Sequence, residues 1–556
     1  MALSTWERLA ASYRAKQLEA IPASWRLTPE QKVQLSLHGH GSSIDGRLIA
    51  SGAVSKAVVL SNHEIDITEN YDAADLVKKI AQGALSAVEV TVAFCKRAAI
   101  AQQMVSCLTE IYFEEAMQRA RFLDQYVTDN GHTLGPLHGL PISLKDSFRV
   151  KGGKATLGFI MNLTMPTAEN NSALVDLLLD AGCVVYCKTN IPQTMMTADS
   201  ENNIFGRTLN PHKTALTAGG SSGGEGALLA MRGSPLGVGT DIAGSIRIPA
   251  LCCGTYGFKP TADRIPYGGQ AGLPFPKPEF AVGIKVVAGP LANSLQDLEM
   301  FMKIVLGSNP GHYDASVIAA KWRTVENGSN GSITIGVLSP DPEYVLMPPV
   351  RRAMDEAIVK LQAAGHNIVH LPFEYATSAG LGGRIAFQWY GLLSVSGSLE
   401  DYLGEPLVRS VARNVHPFSK HAPPVDPSLD EPSMLKELRA ATQAYEKAWE
   451  NLWQTYALDV ILSPASNTTA VPHDTYGVPV YTCMWNILDY PAGVIPYSTA
   501  SKDKDPLPHA APGKYEADYN PEAWDGAPCG LQVVARRMCD EECLEAIKVI
   551  EKAIQK

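Results

Sequence analysis

The stretch Gly219-Gly-Ser-Ser-Gly-Gly-Glu-Gly226 stands out in this sequence of 556 residues, because five of its eight residues are glycine. Glycine loses more conformational freedom on folding than any other residue, so such a cluster indicates a backbone path that side chains would obstruct. The next residues, Ala227-Leu-Leu-Ala230, are typical of a helix. A glycine loop at a helix start offers two serine hydroxyls and free N–H groups, which suit an anion, a phosphate or a nucleophile.

The sequence around this loop argues against a phosphate or dinucleotide site. A P-loop needs a lysine after its last glycine, and no lysine follows Gly226. The later stretch Gly237-Val-Gly-Thr-Asp-Ile242 lacks the third glycine of the dinucleotide fingerprint. Cofactor-binding loops are therefore not expected, and we predict a chemistry that needs no cofactor.

One alternative places an esterase at the glycine loop. Residues 219–223 match the Gly-x-Ser-x-Gly nucleophile elbow, although any GGSSG segment would do so. In such a Ser-His-Asp enzyme Ser221 would be the nucleophile. It would need a downstream acid and a histidine, for which His473 and His509 are available.

Two further stretches belong with the glycine loop: Leu140-Pro-Ile-Ser-Leu-Lys-Asp-Ser147 and Gly237-Val-Gly-Thr-Asp-Ile-Ala-Gly-Ser-Ile-Arg-Ile-Pro-Ala250. Lys145 lies 76 residues before Ser221, and Ser221 lies 24 residues before Ser245. In this order and at this spacing the three motifs resemble the amidase signature family. The resemblance extends from about residue 70 to 540 and includes residues 136–145, 187–192 and 486–493. Residues 93–102 and the N-terminal arm are most similar to the fungal acetamidase branch.

The resemblance implies a Ser-Ser-Lys triad. Ser245 would be the nucleophile, Ser221 a bridging serine in a cis peptide, and Lys145 the base. The implied reaction is hydrolysis of a carboxylic amide to an acid and ammonia or an amine, through an acyl-serine intermediate. The implied oxyanion hole consists of the backbone N–H groups of Ile242, Ala243, Gly244 and Ser245.

The chemistry of this triad is coherent on first principles. A serine hydroxyl is a poor nucleophile until a positioned base takes its proton. A lysine, with a usual pKa of about 10.4, can act as that base only if burial or neighbouring cations lower its pKa. Lys145 follows an apolar strand, which is consistent with burial. Many members of the family have a second glycine at the position of Ala243, so its methyl group is expected to reshape the hole or narrow the acyl pocket.

Three residues are candidates for the substrate pocket. Met195 and Met196 align with a segment that lines the pocket in relatives, although methionine in an apolar stretch more often fills a core. Trp485 precedes the Asn-Ile-Leu-Asp run and is the third candidate. Asp241 and Arg247 flank the nucleophile and are expected to support its loop by pairing or hydrogen bonding.

Strand and helix signals alternate along most of the sequence after about residue 140, which predicts an α/β fold. The resemblance implies an α/β/α sandwich around a large mixed sheet. We expect residues 1–70 to form an N-terminal helical arm and residues 71–556 to form one catalytic domain. Segments 372–432 and 500–528 break the alternation and are expected to form lids, pocket walls or partner surfaces.

Charge and composition argue against several functional classes. The 47 Lys and Arg residues and 57 Asp and Glu residues leave a formal net charge of −10, which is unfavourable for binding nucleic acid. No apolar run approaches the roughly 18–20 residues that cross a bilayer, and Glu7 and Arg8 interrupt the region where a signal peptide would be apolar. The ten cysteines are expected to be free thiols, which predicts a cytoplasmic protein. No HExxH or paired CxxC motif predicts a metal site.

We therefore expect a small-molecule amide as substrate, no nucleic-acid or membrane partner, and allow for a homodimer. Two alternatives stay open besides the esterase. A subunit of an amidotransferase would need a partner chain that delivers or receives ammonia. A non-catalytic binding scaffold would tolerate the loss of Ser245.

Overall fold

The computed structural model describes residues 4–37, 46–272, 283–325, 332–393, 404–413, 424–511 and 515–555. Its strands are β1 Leu108–Ile111, β2 Pro141–Lys145, β3 Val184–Thr189, β4 Glu201–Asn202, β5 Gly206–Arg207, β6 Leu236–Asp241, β7 Tyr256–Lys259, β8 Val287–Ala292, β9 Thr334–Val337, β10 Asn367–His370, β11 Val460–Pro464, β12 Ala492–Thr499 and β13 Pro528–Val534. Strands β4 and β5 form a small separate ribbon, and the other eleven form one sheet.

The helices are α1 Thr5–Glu19, α2 Pro29–Leu37, α3 Ala53–Lys56, α4 Asn62–Asn70, α5 Ala73–Ala81, α6 Ala87–Val105, α7 Phe113–Asn130, α8 Met161–Thr164, α9 Ala173–Asp180, α10 Gly223–Ala230, α11 Arg247–Cys253, α12 Leu295–Gly307, α13 Pro348–Ala363, α14 Ala379–Leu393, α15 Arg409–Arg413, α16 Glu431–Tyr456, α17 Val480–Ile487, α18 Pro521–Trp524 and α19 Asp540–Ile554. None of the helices in the described parts of the chain combines the length and the apolar character that a membrane span requires.

The large sheet is mixed, as predicted, with the strand order β1-β3-β2-β6-β8-β7-β12-β13-β11-β9-β10. Strand β2 pairs in parallel with both β3 and β6, and β9 pairs in parallel with β10 and β11. The remaining pairs are antiparallel. The helices around this sheet complete the α/β fold that the alternating sequence pattern predicts.

The order of the strands brings distant polar segments together. Because β2 and β6 are parallel neighbours, their carboxyl ends meet at the same edge of the sheet. Lys145 is the last residue of β2, and Ser245 follows the end of β6 by four residues. Helix α10 starts two residues after Ser221. The fold therefore gathers all three motifs at one edge of the sheet.

Most of the elements predicted from the sequence are confirmed within a few residues. The predicted strand at 140–144 is β2, the helix at 350–364 is α13, and the long helix at 434–456 is α16. Both predicted capping boxes are present, since Ser4 and Ser86 each accept from the backbone of a glutamate three residues later.

The described residues before position 71 contain helices α1 to α4. Their apolar side chains, among them Ile21, Leu27 and Leu48, are buried in one cluster with residues of α6, α7 and β3. The hydroxyl of Tyr13 also bonds the buried carboxylate of Glu110 on β1. The arm therefore packs closely on the rest of the chain.

The two segments that break the sequence pattern contain local structure. Segment 372–432 includes α14 and α15, and its residues 394–403 and 414–423 lie outside the described parts. In segment 500–528, His509 and Tyr519 form an isolated β-bridge, α18 follows, and residues 512–514 are not described. Helix α14 is a correction to the sequence analysis, which placed no helix there. Its run of glycine and small residues hides the helical signal, but α14 packs against α17 and α16.

Candidate active site

Lys145 is buried at the edge of the sheet, with 1% of its surface exposed. Its Nζ donates to Ser221 Oγ at 2.7 Å and to Thr240 Oγ1 at 2.8 Å. Thr240 lies on the neighbouring strand β6, so the parallel pairing of β2 and β6 places its hydroxyl beside the amine. The amine is therefore held between the glycine loop and β6.

The surroundings of Lys145 favour the neutral form of its amine. Burial, which penalises the ammonium form, lowers the pKa of Lys145 from its usual 10.5 to about 7. The negative charges of Asp241, Glu225 and Asp146 act in the opposite direction but do not outweigh burial. A base with a pKa near neutrality is well matched to proton transfer at physiological pH.

Glu225, in the first turn of α10, is a second buried ionisable group. Its carboxylate accepts from Ser143 Oγ at 2.6 Å and from Thr189 Oγ1 at 2.8 Å. Burial raises the pKa of Glu225 to about 7, against the effects of these hydrogen bonds and of the charge of Lys145. The acid thus connects the helix after Ser221 to strands β2 and β3.

Ser221 lies in the glycine loop, where the peptide bond between Gly220 and Ser221 is cis. A Cβ at position 220 would lie 2.3 Å from the carbonyl oxygen of Thr197, so only glycine fits there. The next residue, Ser222, donates its N–H to the carbonyl of Ser245 at 3.2 Å. The glycine loop and the loop that carries Ser245 are therefore directly linked.

Ser245 lies at the start of α11 and faces a cavity. The preceding Gly244 has a φ of +122°, which L-residues with a side chain rarely adopt. A Cβ there would also lie 2.3 Å from Thr482 Oγ1. Both constraints explain why a glycine precedes the serine.

Asp241 supports the loop, as the sequence analysis expects. Its Oδ1 accepts from the N–H of Gly244 at 2.8 Å, and its Oδ2 accepts from the N–H of Ile246 at 3.1 Å. Arg247 donates to both oxygens at 3.0 Å, and Asn486 donates to Oδ1 at 2.9 Å. Although burial raises the pKa of Asp241, the charge and hydrogen bonds of Arg247 outweigh it and hold the pKa well below its usual range.

The backbone donors of the expected oxyanion hole differ in their partners. The N–H of Gly244 is bound to Asp241, so this group is not free for a substrate. Within the described chain, the N–H groups of Ile242, Ala243 and Ser245 donate to no protein acceptor. The structure thus leaves three of the four expected donors available, and it gives the fourth a supporting role.

The cavity in front of Ser245 is narrow, with a volume of about 50 Å³. Its walls come from several separate parts of the chain, and they include Met195, Met196, Asp199, Ala243, Ile248, Phe387, Tyr390, Ser410, Arg413, Tyr476 and Val478. Two of the three pocket candidates from the sequence, Met195 and Met196, therefore lie where they were expected.

Trp485, the third candidate, is in a different place. It is fully buried, and its ring lies 5.0 Å from that of Trp449 and 6.2 Å from that of Tyr490. It is not among the residues that line the cavity. Helix α17 turns this side chain toward α16 and the hydrophobic core, which its sequence position does not reveal.

The histidines that the esterase alternative requires are engaged elsewhere. His473 lies 2.9 Å through Nε2 from the carbonyl of Thr214 and 3.5 Å through Nδ1 from Asp199. His509 lies in a separate surface groove, and its backbone pairs with Tyr519. The group within hydrogen-bonding distance of Ser221 Oγ is the amine of Lys145.

Several residues at the site were missed by the sequence analysis. Thr240 precedes Asp241 on β6, and only the pairing of β6 with β2 places it beside Lys145. Tyr390 and Thr482 bond the carbonyls of Ile242 and Ala243, each at 2.6 Å. They lie more than a hundred residues further along the chain and carry no motif that would mark them.

Comparison with known proteins places this geometry in a family. The family model described as Amidase matches residues 89–544. An "Amidase" of Gibberella moniliformis is 39% identical over 559 residues, which cover 100% of both chains. An "Acetamidase" of Emericella nidulans is 37% identical and covers 99% of this chain and 98% of the relative. A solved structure of "Fatty acid amide hydrolase" matches with a TM-score of 0.86 at 30% identity, over 99% of this chain and 95% of that chain.

These matches confirm the resemblance found in the sequence, including its similarity to fungal acetamidases. The family model spans the glycine loop, the Lys145 strand and the Ser245 loop together. This chain therefore belongs to the Amidase family, and it is an amide hydrolase.

Proposed function

We propose that the enzyme cleaves a carboxylic amide through an acyl-Ser245 intermediate, with Ser221 and Lys145 as the proton-transfer pair. The observation that carries the proposal is the 2.7 Å hydrogen bond between Lys145 Nζ and Ser221 Oγ in a buried site. Burial disfavours the charged form of a lysine, and a neutral amine held against a serine hydroxyl can take its proton.

Acylation follows from this arrangement. Neutral Lys145 takes the proton of Ser221 while Ser221 takes the proton of Ser245, whose Oγ forms a bond to the amide carbon. The N–H groups of Ile242, Ala243 and Ser245 stabilise the negative oxygen of the tetrahedral intermediate. As the C–N bond breaks, the proton returns through Ser221 to the leaving nitrogen, which departs as ammonia or an amine.

Deacylation uses the same groups in the same order. A water molecule gives a proton to Ser221, which passes its own proton to Lys145, and the water oxygen attacks the acyl carbon. The tetrahedral intermediate expels Ser245 Oγ, which recovers a proton from the pair. The acid product leaves, and the enzyme returns to its starting state.

The dimensions of the cavity support a small acyl group. Its volume of about 50 Å³ is far below the roughly 300–1,000 Å³ of pockets that hold drug-sized ligands. Ala243 lines it, together with apolar residues such as Met195, Ile248 and Val478. The name of one fungal relative, "Acetamidase", fits a short aliphatic amide as substrate.

Labelling with a fluorophosphonate probe and peptide mapping tests the nucleophile. We expect the label on Ser245 of the wild type, and its loss in Ser245→Ala and in Lys145→Ala. Two control variants, His473→Gln and His509→Ala, should keep the label, because neither histidine contacts the pair. A label on Ser221 that survives in Lys145→Ala but not in His473→Gln would contradict the proposal and support the esterase.

The cytoplasmic location, the homodimer and the division of the chain at residue 70 stay predictions from the sequence.

A further inference from the structure

The loop between β6 and α11 is held from outside by two hydroxyl groups. Tyr390, on α14, donates its hydroxyl to the carbonyl oxygen of Ile242 at 2.6 Å. Thr482, on α17, donates its hydroxyl to the carbonyl oxygen of Ala243 at 2.6 Å. Both contacts reach the loop that leads to Ser245, and each fixes one peptide unit of that loop.

A trans peptide unit is planar, so its carbonyl and its N–H point in opposite directions. A hydrogen bond to the carbonyl of Ile242 therefore sets the direction of the N–H of Ala243. The bond from Thr482 likewise sets the N–H of Gly244, which donates to Asp241. Tyr390 thus fixes the N–H of Ala243, which donates to no acceptor in the described chain, whereas Thr482 fixes the N–H of Gly244, which donates to Asp241.

We propose that Tyr390 is a positioning residue of the oxyanion hole, which aims the N–H of Ala243 at the substrate oxygen through its bond to Ile242. The inference rests on the proposed function, because it takes Ser245 as the nucleophile. It adds a residue outside the triad and outside the three motifs.

The surroundings of Tyr390 suit this role. The side chain is almost fully buried, and its hydroxyl has a second, weaker contact with Cys483 Sγ at 3.8 Å. Burial raises the pKa of Tyr390 well above its usual range, so the hydroxyl stays protonated and can donate. A buried, short hydrogen bond restricts the motion of the peptide more than an exposed one would.

Tyr390 also connects the oxyanion loop to the substrate pocket. Its ring lines the cavity and packs edge-on against Phe387, with ring centroids 5.3 Å apart. Both residues belong to segment 372–432, which interrupts the strand and helix alternation. The wall of the acyl pocket and the orientation of the oxyanion donor therefore depend on the same helix.

The test compares Tyr390→Phe with Tyr445→Phe. Each substitution removes one buried hydroxyl that donates to a backbone carbonyl, since Tyr445 bonds the carbonyl of Ser378 at 3.0 Å just before α14. Tyr445 has no contact with the oxyanion loop, so it is a matched control for loss of stability. For each variant we would measure kcat, KM, Tm and the affinity for a trifluoromethyl ketone analogue of a short amide.

For Tyr390→Phe we expect kcat and the affinity for the ketone to fall together by about 10- to 100-fold, with KM little changed. This is less than the roughly 10²–10³-fold loss that follows removal of an oxyanion donor, because the N–H remains but is poorly aimed. In Tyr445→Phe both quantities should stay within about twofold of the wild type, with assays run well below the lower Tm.

Equal kcat and ketone affinity in Tyr390→Phe and wild type would overturn the positioning role. So would a parallel loss in Tyr445→Phe, or a Tyr390→Phe chain that does not fold, because either would make the hydroxyl a stabilising group only. The Ser245→Ala variant separates this result from the proposed function. Activity in Ser245→Ala would contradict the proposed function, because Ser245 would then not be the nucleophile. An inactive Ser245→Ala enzyme together with a fully active Tyr390→Phe enzyme would contradict only the proposed role of Tyr390.

Discussion

Asp241 and Arg247 form an ion pair that is closed to solvent, with Arg247 Nη2 3.0 Å from Asp241 Oδ1 and both side chains fully buried. The same carboxylate accepts the N–H groups of Gly244 and Ile246, on both sides of Ser245. Arg247 in turn donates to Asn486 and Gln532, which lie on α17 and β13. The pair thus connects the backbone on both sides of Ser245 to α17 and to strand β13 of the sheet.

We expect Asp241→Asn to lower both stability and activity. The asparagine side chain keeps one acceptor oxygen, but it leaves the buried charge of Arg247 without the opposite charge of Asp241. Such a loss typically costs about 3–5 kcal/mol of stability. Urea unfolding measures this cost, and kcat/KM should fall at least tenfold because the loop loses one of its backbone bonds. Arg537→Ala is the control, since its pair with Asp489 is half-exposed and should contribute less than about 1 kcal/mol. Equal effects of both substitutions on stability would contradict the role of the buried pair.

The rate of amide hydrolysis should depend on pH through Lys145. Its pKa is lowered to about 7, and the amine must be neutral to act as a base. We therefore expect kcat/KM to be constant above about pH 8 and to fall roughly tenfold for each unit of pH below 7. A profile of kcat/KM between pH 5 and 9 at constant ionic strength measures this. A flat profile down to pH 5 would show that no group with this pKa acts as the base.

Glu225→Gln should shift that profile to lower pH. The negative charge of Glu225 raises the pKa of Lys145, so a neutral amide in its place lowers the pKa further. The two groups titrate in the same range, hence the observed values belong to the coupled pair. We expect the acidic limb of the kcat/KM profile to move to lower pH by about half a pH unit to one pH unit. Glu551→Gln, on α19, is the control, because Glu551 is not among the charges that shift the pKa of Lys145, and it should leave the limb in place. A shift to higher pH in Glu225→Gln would contradict the electrostatic argument.

Ala243→Gly should widen the range of acyl groups. Ala243 and Ser245 both line the cavity, and one methylene in a hydrophobic pocket changes discrimination between substrates by about 10- to 200-fold. We expect the ratio of kcat/KM for a four-carbon amide to that for acetamide to rise at least threefold. Trp485→Phe is the control, because Trp485 packs against Trp449 in the core and should alter stability but not this ratio. An unchanged ratio in Ala243→Gly would show that another residue limits the acyl group.

The sequence by itself determined the three motifs and many of the strands and helices, although not α14. Strand β2 is an apolar run that ends in a lysine, and α13 and α16 carry apolar residues at helical spacing, so local pattern was enough to predict them. The glycines around Ser221 and before Ser245 are visible as a cluster because no other residue fits those backbones. The order and spacing of the three motifs then indicated the amidase signature family.

Only the tertiary structure decided which groups surround the reacting atoms. The parallel pairing of β2 and β6 places Thr240 beside Lys145, and burial among these elements lowers the pKa of the amine. The orientation of α17 places Trp485 in the core. The packing of α14 brings the hydroxyl of Tyr390 to the carbonyl of Ile242, 148 residues away in sequence. Burial, pKa and such contacts depend on segments that meet only in the folded chain, so no local pattern contains them.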